Sequence, residues 1–352
     1  MAKTRVAIIG CGQIAATRHA PEYHLHPDVE LVGYYDHHPE NADKLAEQFG
    51  GKRYDSMEDL LSDDDIDAVS VCTPNRFHAE HSIAALEAGK HVLCEKPMAM
   101  TLDEAHKMRQ AETRSGKLLK IGMNQRHIPA HIKAREMIRE GQIGRVIAIV
   151  TNFKHAGPET WAELGSATWF FSHDEAGYGS IGDLGTHKFD LARFLLDTRV
   201  TRVVSTLLTL DKKNPEGEMI DVDDNAVSIF QTDCGAFGTM YTSWTNYGEQ
   251  DNSTVVYGTE GVLRILQGRE HDLIHQEKGG PTHRMNMGHI DPESDHPVTG
   301  IIAAFIKAVR GEESEIAGSL DGLHTQACLD AALNSSNSGN WEAVIMDEGR
   351  DV

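Results

Sequence analysis

A glycine-rich turn directly follows the first apolar run of this chain, and it restricts the folds that the chain can adopt. Residues 5–9 are short, apolar and closed by a glycine, which predicts a buried strand rather than a helix. The turn reads Gly10-Cys-Gly12-Gln-Ile-Ala15 and opens a helical stretch over residues 13–24. The first glycine permits a tight turn, the second lets the backbone approach a phosphate, and Ala15 keeps the helix close to the strand. This order predicts an anion-binding helix N-terminus.

An acidic residue follows at the end of the second predicted strand. Asp36 stands 21 residues beyond Ala15, just after the strand 30–35. A carboxylate there suits the ribose 2′-hydroxyl of NAD and repels the 2′-phosphate of NADP. His37 and His38 come next, and either could contact a phosphate. NAD is therefore favoured as the cofactor, but NADP is not excluded. The residues expected to contact a dinucleotide here are Gly10, Cys11, Gly12, Gln13, Ile14, Asp36 and His37.

The first 125 residues alternate between predicted strands and helices. The strands are expected at 5–9, 30–35, 68–72, 91–94 and 118–121, and the helices at 13–24, 40–49, 79–88 and 102–114. Strands separated by helices of this length predict right-handed crossovers and a parallel sheet with helices on both faces. Residues 1–125 are therefore expected to form a Rossmann domain, a doubly wound parallel sheet that binds a dinucleotide.

The pattern changes after about residue 129, and residues 126–352 are expected to form a second, α/β domain. A helix at 132–140 and an inserted helix at 183–196 accompany strands at 146–153, 203–210, 226–231, 238–244, 254–257 and 262–266. These strands predict a large, mostly antiparallel, open sheet. Two helices follow, and the segment 296–334 is expected to pack back on the first domain. The first helix carries Val298, Ile301, Ile302, Phe305, Ile306 and Val309 at helical spacing, the second starts at Ser319, and 334–340 is expected to be a loose connector.

Composition excludes several classes of protein. Lysine and arginine total 33 against 54 aspartates and glutamates, a net charge of −21 that disfavours nucleic acid and anionic membrane surfaces as partners. The acidic clusters 63–65 and 223–224 are expected to be solvated loops. Five scattered cysteines without a C-x-x-C pattern indicate a reducing compartment. Neither a signal peptide nor an apolar stretch of about 18 residues is present, so a cytoplasmic location is expected.

Three further motifs lie at predicted strand ends or on the inserted helix. Cys72-Thr-Pro-Asn75 is followed by His78, and Glu95-Lys96-Pro97 follows the next strand. Doubly wound sheets bind ligands at such carboxyl ends. The third motif runs from Trp169 to Asp190 and contains Asp183 and His187. Together these motifs resemble the glucose–fructose oxidoreductase/inositol dehydrogenase/MocA family (Gfo/Idh/MocA) over nearly the whole chain. The resemblance implies a nicotinamide-dependent oxidoreductase acting on a ring carbinol of a sugar or cyclitol.

The resemblance assigns the chemistry to Lys96, Asp183 and His187. Physical chemistry is consistent with these roles, because removing hydride from a secondary alcohol also requires its hydroxyl proton to leave. The ordinary pKa of histidine suits a proton acceptor near neutrality, and an ammonium group stabilises a developing alkoxide. On a helix, Asp183 and His187 would share one face and the carboxylate would orient the imidazole. We therefore expect the ammonium of Lys96 and the imidazole of His187 to converge on one alcohol beside the nicotinamide.

Other positions are expected to line the cofactor and substrate sites. The resemblance implies that the carboxyl end of the strand 68–72 with its following loop, and the E-K-P turn, contact the cofactor through Cys72, Thr73, Pro74, Asn75, His78, Glu95 and Lys96. It implies the same of Asn124, in the segment that leads into the second domain. Aromatic faces and polar edges bind sugar rings. The expected substrate contacts are Lys96, Arg126, His155, Trp161, Trp169, Tyr178, Asp183, His187 and Trp244.

The chain departs from the family pattern at one glycine-rich turn, where Tyr178 stands between Gly177 and Gly179 and the family has three glycines. The histidine pairs at 24 and 26 and at 37 and 38 lack carboxylate or thiol partners at ligand spacing, so no metal is expected. Substrate identity does not transfer through the resemblance.

Three functions remain open at this point. The leading one is an NAD(H)-dependent dehydrogenase of a sugar, sugar derivative or cyclitol. A second is a glycoside hydrolase or lyase that oxidises its sugar transiently and returns the hydride. A third is a non-catalytic sugar or dinucleotide sensor on the same fold, which would have no use for a proton acceptor. The family resemblance and the predicted open sheet also predict a homodimer or homotetramer formed through the second domain.

Overall fold

A computed structural model of the chain describes residues 2–288 and 299–346. The described residues divide into two compact units, one of residues 2–124 and 299–323 and the other of residues 125–288 and 324–346. Val298, which the helical pattern included, lies outside the described residues. Within the described ranges, no helix combines the length and the apolar character that crossing a membrane requires.

The first unit contains a six-stranded parallel sheet in the order β3-β2-β1-β4-β5-β6. This order is the doubly wound one, so the predicted Rossmann sheet is confirmed. The strands are β1 (Thr4–Ile9), β2 (Val29–Tyr35), β3 (Lys52–Arg53), β4 (Ala68–Val71), β5 (His91–Cys94) and β6 (Leu119–Ile121). The sequence pattern did not predict β3, because two residues are too short to show alternation.

Helices connect these strands. A π-helical turn, Ala15–His19, precedes α1 (Ala20–Leu25), and the other connecting helices are α2 (Pro39–Phe49), α3 (Met57–Leu61), α4 (His78–Glu87) and α5 (Leu102–Ser115). α9 (Ile301–Val309) belongs to the same unit but comes from a later part of the chain. The five-residue α3 was not predicted either, although Ser56 caps its N-terminus. Ile302 and Phe305 of α9 pack in one core cluster with Val6 and Ile8 of β1. A distant part of the chain thus completes the core of this unit.

The second unit contains a nine-stranded sheet in the order β14-β13-β12-β11-β7-β10-β9-β8-β15. Among the described strands of this sheet, β7 and β10 are the one pair that runs in parallel, which confirms the predicted mostly antiparallel sheet. The strands are β7 (Val146–Lys154), β8 (Val200–Leu208), β9 (Asn225–Thr232), β10 (Phe237–Ser243), β11 (Thr254–Gly258), β12 (Gly261–Ile265), β13 (Leu273–Glu277), β14 (Thr282–Met285) and β15 (Glu342–Ala343). The last three were not predicted from the sequence.

Helices cover one face of this sheet. They are α6 (Pro129–Arg139), α8 (Thr186–Leu196) and α10 (Ser319–Ser338), whose first five residues belong to the first unit. The short α7 (His173–Ala176) precedes α8 in the chain. Ala134 of α6, Phe189 of α8 and Leu329 of α10 share a core with Phe230 and Met240 of the sheet. The prediction of a loose connector at 334–340 is wrong for residues 334–338, because α10 extends through Ser338.

The polar end of α10 has a structural reason. The backbone N–H of Ser205 donates to Ser335 Oγ at 2.9 Å, and that of Leu207 donates to Ser336 Oγ at 2.9 Å. Both N–H groups belong to β8, whose pairing with β15 extends only over Arg202 and Val203. The serines therefore satisfy donors of a strand near the sheet edge, a use of polar residues that the sequence pattern does not distinguish from a loop.

A buried polar network lies at the carboxyl ends of the strands of the first unit. Ser70 Oγ lies 2.8 Å from Tyr23 Oη and 3.0 Å from His19 Nδ1. His19 Nε2 lies 2.9 Å from Glu95 Oε1, and the Lys96 N–H donates to Glu95 Oε2 at 3.1 Å. Burial alone would raise the pKa of Glu95, but the hydrogen bond and charge of His19, together with Lys96, lower it to about 2. The network therefore links the backbone at Lys96 to the helical segment that follows the glycine-rich turn.

We expect Glu95→Gln to remove part of the pH dependence of stability. The pKa of Glu95 falls from an ordinary 4.5 to about 2 on folding. Its contribution is therefore complete above pH 4.5 and is lost as the pH falls from there toward 2. Between pH 6.5 and 3.5 the wild type should lose about 1 to 2 kcal/mol more than the variant. Amide hydrogen exchange in β5 measures this, since Trp161, Trp169, Trp244 and Trp341 all lie in the second unit.

Glu47→Gln is the matched control, because Glu47 is exposed on α2. Its pH dependence should equal that of the wild type. An equal loss of β5 protection in Glu95→Gln and the wild type on acidification would contradict the stabilising role of the ionised carboxylate.

Candidate active site

The glycine-rich turn of the first unit has one crowded side and one open side. Gly10 has a φ of +88°, and a Cβ there would lie 2.7 Å from the backbone of Cys72 and Thr73. A Cβ on Gly12 would meet no heavy atom within 4 Å. Ala15 is fully buried against the sheet. The turn therefore leaves its backbone accessible at Gly12, which fits the close approach of a pyrophosphate.

Asp36 lies next to this turn. Its Oδ2 accepts a hydrogen bond from the Cys11 N–H at 2.6 Å, and its Oδ1 accepts one from the His38 N–H at 2.8 Å. The carboxylate thus joins the loop after β2 to the glycine-rich turn by hydrogen bonds. The side chains of His37 and His38 are exposed, and Gln13 and Ile14 begin the helix at the turn.

The loop after β4 and the E-K-P turn after β5 are held together by His78. Its Nδ1 lies 2.7 Å from the Pro97 carbonyl and its Nε2 lies 2.9 Å from the Thr73 carbonyl. Burial lowers the pKa of His78, although both carbonyl contacts oppose the shift. Two neighbouring strand ends are thereby fixed relative to each other.

The remaining predicted cofactor residues of the first unit lie at these strand ends. Cys72 and Asn75 are buried, whereas Thr73, Pro74 and Lys96 are half-buried. Asn124 begins a short 3₁₀ turn, Asn124–His127, after β6. Contact of these residues with a nucleotide stays a prediction.

The second unit places Asp183 and His187 on one helical segment. A π-helical turn, Ile181–Gly185, carries Asp183 and continues directly into α8, whose second residue is His187. The predicted helix at 183–196 is thus present but starts earlier and with a wider turn. Both residues are buried: Asp183 is 9% exposed and His187 is 6% exposed. Buried ionisable groups with specific neighbours are frequent at functional sites.

Two other predicted residues meet Asp183. The Trp244 indole N–H donates to Asp183 Oδ2 at 3.1 Å, and His155 Nε2 lies 3.8 Å from the same oxygen. The Gly157 N–H donates to His155 Nδ1 at 2.9 Å, so the neutral ring carries its proton on Nε2, facing Asp183. The Phe153 ring lies 5.9 Å from the ring of His187 and 6.1 Å from that of His155. The structure therefore brings Asp183, His155 and Trp244 together, with Phe153 between the two imidazoles.

Asp223, which the sequence pattern predicts to lie in a solvated loop, instead anchors the start of this helical segment. Asp223 accepts hydrogen bonds from the Gly179 N–H at 2.9 Å, the Ser180 hydroxyl at 2.8 Å and the Ile181 N–H at 2.9 Å. Burial raises the pKa of Asp223 to about 7, against the lowering effect of these donors. A Cβ on Gly179 would lie 1.8 Å from the Asp223 carbonyl oxygen, which explains the glycine at that position.

The expectation of a solvated loop at 223–224 is therefore wrong. Asp224 is fully buried and accepts the backbone N–H groups of Leu210, Asp211 and Lys212. Both carboxylates accept backbone N–H groups, of which those of Gly179, Ile181 and Lys212 are buried and would otherwise lack partners. No signal in a single sequence distinguishes such a pair from an exposed acidic loop. The cluster at 63–65 is different, since Asp64 and Asp65 are exposed.

Two predicted substrate residues have partners within the second unit. Arg126 forms a buried ion pair with Asp190, with Arg126 Nε 2.7 Å from Asp190 Oδ2. Tyr178 packs in the core, where its hydroxyl donates to Asp330 and accepts a hydrogen bond from Gln326 at 3.0 Å. Contact of Arg126 or Tyr178 with a substrate stays a prediction.

Aromatic side chains extend from Trp244. Phe170 lies 6.4 Å from Trp244 between ring centroids, Trp169 stacks on Phe170 at 3.9 Å, and Trp161 lies edge-on to Phe170 at 5.3 Å. Trp244 is fully buried, Trp169 is half-buried and Trp161 is 45% exposed. Throughout residues 2–288 and 299–346, no three histidine, cysteine or acidic side chains gather as a metal site. The second unit thus offers a carboxylate, two imidazoles and an aromatic surface.

Comparison with known proteins identifies the family of both units. Residues 4–123 match the model described as an oxidoreductase family with an NAD-binding Rossmann fold, and residues 131–264 match the GFO/IDH/MocA C-terminal domain. The chain is 32% identical to glucose-6-phosphate 3-dehydrogenase of Bacillus subtilis over 273 residues, covering 76% of this chain and 75% of that protein. It is 29% identical to D-glucoside 3-dehydrogenase of Escherichia coli over 348 residues, covering 95% and 96%.

A solved structure supports the same relationship. The complex of levoglucosan dehydrogenase with NADH and levoglucosan superposes with a TM-score of 0.87 and 26% identity, covering 98% of this chain and all of that one. The resemblance proposed from the motifs is confirmed: the chain belongs to the GFO/IDH/MocA family of oxidoreductases, with an NAD-binding Rossmann fold.

Proposed function

We propose that the protein is an NAD(H)-dependent dehydrogenase that transfers a hydride between nicotinamide and a ring carbinol of a sugar, sugar derivative or cyclitol. The observation that carries this proposal is the buried helical segment bearing Asp183 and His187, with Trp244 and His155 at the Asp183 carboxylate. Family membership and the sugar dehydrogenases among the relatives support the substrate class. The open backbone at Gly12 and the carboxylate of Asp36 fit a dinucleotide.

The proposed roles follow from the chemistry of an alcohol. The bound dinucleotide supplies a hydride acceptor at C4 of its nicotinamide. His187 takes the hydroxyl proton as the C–H hydrogen leaves with its electron pair, and returns a proton in the reverse direction. The Lys96 ammonium stabilises the negative charge that develops on the oxygen. Asp183 orients the imidazole and is itself held by the Trp244 indole N–H.

We expect His187→Gln to lower kcat about 100- to 10,000-fold, because general acid–base catalysis contributes that much. Lys96→Met should lower it about 100-fold or more through the lost charge stabilisation. Both variants should still bind NADH. NADH absorbance with a panel of aldoses, sugar phosphates, sugar acids and inositols measures turnover, and NADH fluorescence measures binding.

His173→Gln and Lys44→Met are the matched controls, since both residues are exposed. They should keep wild-type rates. Near-wild-type turnover in His187→Gln or Lys96→Met would contradict the assignment. Cleavage of a glycosidic bond without net NADH formation would instead favour the hydrolase or lyase, and binding without any reaction would favour the sensor.

The preference for NAD over NADP is proposed to come from the charge of Asp36. Asp36→Asn keeps an oxygen that can accept the Cys11 N–H but removes the charge that repels a 2′-phosphate. The ratio of kcat/KM with NAD to that with NADP should fall at least about tenfold in the variant, equivalent to about 1.4 kcal/mol. Asp28→Asn, an exposed aspartate just before β2, should leave the ratio unchanged. An unchanged ratio in Asp36→Asn would assign cofactor choice to other residues.

We further propose a homodimer or homotetramer formed through the uncovered face of the nine-stranded sheet. Val227 and Ile229 of β9 are 52% and 42% exposed, and Val227 pairs across the sheet with Tyr241, which is 37% exposed. A contiguous exposed apolar face on a soluble protein indicates an interaction surface.

Charge on this face should disrupt assembly. We expect Ile229→Lys to yield a smaller species than the wild type in light scattering, because a buried unpaired charge is costly in an interface. Gln142→Lys, on an exposed loop, is the control and should assemble normally. A monomeric wild type would contradict the proposal.

A further inference from the structure

We infer that Trp161, Trp169 and Phe170, here called the aromatic platform, bind a second sugar ring that is joined by a glycosidic bond to the ring being oxidised. This inference rests on the proposed function, since it names the substrate class as glycosides of more than one ring. It concerns only residues of the second unit.

The aromatic platform starts at the residue that holds Asp183. The Trp244 N–H donates to Asp183, and Phe170 lies 6.4 Å from Trp244 with its ring nearly perpendicular, at 88°. Trp161 lies a further 5.3 Å from Phe170. Exposure rises along this path from 0% at Trp244 to 45% at Trp161. The rings therefore lead outward from the carboxylate, so that a group attached to the reacting ring would meet Trp161 last.

The chemistry of the platform suits a sugar ring. The C–H face of a pyranose packs on aromatic surface, and its hydroxyls need hydrogen-bond partners. Among the described residues, neither the Trp161 nor the Trp169 indole N–H has an acceptor, whereas that of Trp244 is engaged with Asp183. Apolar surface with available N–H donors is the combination that a sugar requires.

The surrounding charges favour a neutral second group over a phosphate. Glu159 lies on the same segment as Trp161 and is paired with Lys212, and Glu163 is exposed two residues beyond Trp161. Lys212 is therefore already neutralised at this position. A second sugar ring carries no charge to be repelled by Glu163, unlike a phosphate ester.

The segment that carries Trp161 is fixed to its support. Lys212 is 5% exposed, and its ammonium donates to the Ala156 carbonyl at 2.6 Å in addition to pairing with Glu159. The Lys212 N–H is in turn held by Asp224 at 2.9 Å. A segment held in this way loses little backbone entropy when its aromatic side chain binds a ligand, which favours recognition over accidental exposure.

The test compares disaccharides with their one-ring counterparts. The probes are maltose against methyl α-D-glucopyranoside and cellobiose against methyl β-D-glucopyranoside. We expect kcat/KM with NAD to be at least about tenfold higher for one disaccharide than for its methyl glycoside. Trp161→Ala should reduce that ratio to near one, and Trp161→Phe should retain part of it. Trp341→Ala is the matched control, because Trp341 is 36% exposed and contacts Arg202 instead.

Disaccharide binding is also measured by calorimetry without NAD, which separates this inference from the proposed function. Binding that depends on Trp161 without NADH formation would support the platform and contradict the dehydrogenase. Turnover of the methyl glycosides with no disaccharide preference, or with a preference unchanged in Trp161→Ala, would overturn the platform. Failure of both disaccharides to bind or react would overturn it as well.

Discussion

The carboxylate of Asp223 is the contact on which the second unit's site depends. It accepts two backbone N–H groups and one hydroxyl at residues 179–181, just where the helical segment bearing Asp183 and His187 begins. A helix N-terminus has several N–H groups without helical partners, and burying them requires an acceptor. Here the acceptor is Asp223, and the next residue, Asp224, accepts three further backbone N–H groups. Two adjacent acids thus fix both the helical segment and the loop carrying Lys212.

In the first unit, buried polar side chains likewise hold the backbone in place at the strand ends, but through other residue types. His78 lies between the carbonyls of Thr73 and Pro97, and Glu95 lies between His19 and the backbone of Lys96. Loops at the carboxyl ends of parallel strands are otherwise free to move, yet a dinucleotide site needs them in fixed positions. Buried polar side chains supply that rigidity because each contact links one loop to a neighbouring strand or helix. In both units, therefore, several side chains that resemble site residues in sequence act by holding the backbone.

The sequence predicted the fold class and most elements, since strand, turn and helix patterns repeat locally and need no knowledge of distant contacts. It failed where an element is very short, as in β3, or where polar residues satisfy buried partners, as at Ser335 and Ser336. The candidate site divides in the same way. The glycine turn and the Asp183–His187 spacing are local features. The ion pair of Arg126 with Asp190 and the contact of Tyr178 with Asp330 join residues 64 and 152 positions apart.

Local sequence patterns are sufficient to predict a Rossmann first unit, a second unit with a large sheet, and a family whose motifs the chain carries in order. These are set by backbone sterics and by the period of the apolar residues, which act over a few positions. The folded chain adds what those patterns do not contain: Asp223 and Asp224 are buried, the Trp244 indole N–H donates to Asp183, and the aromatic rings extend outward from Trp244. These contacts depend on which donors and rings meet after the chain has folded. The same residue types on an exposed loop would give the same sequence pattern, so the pattern does not predict the contacts.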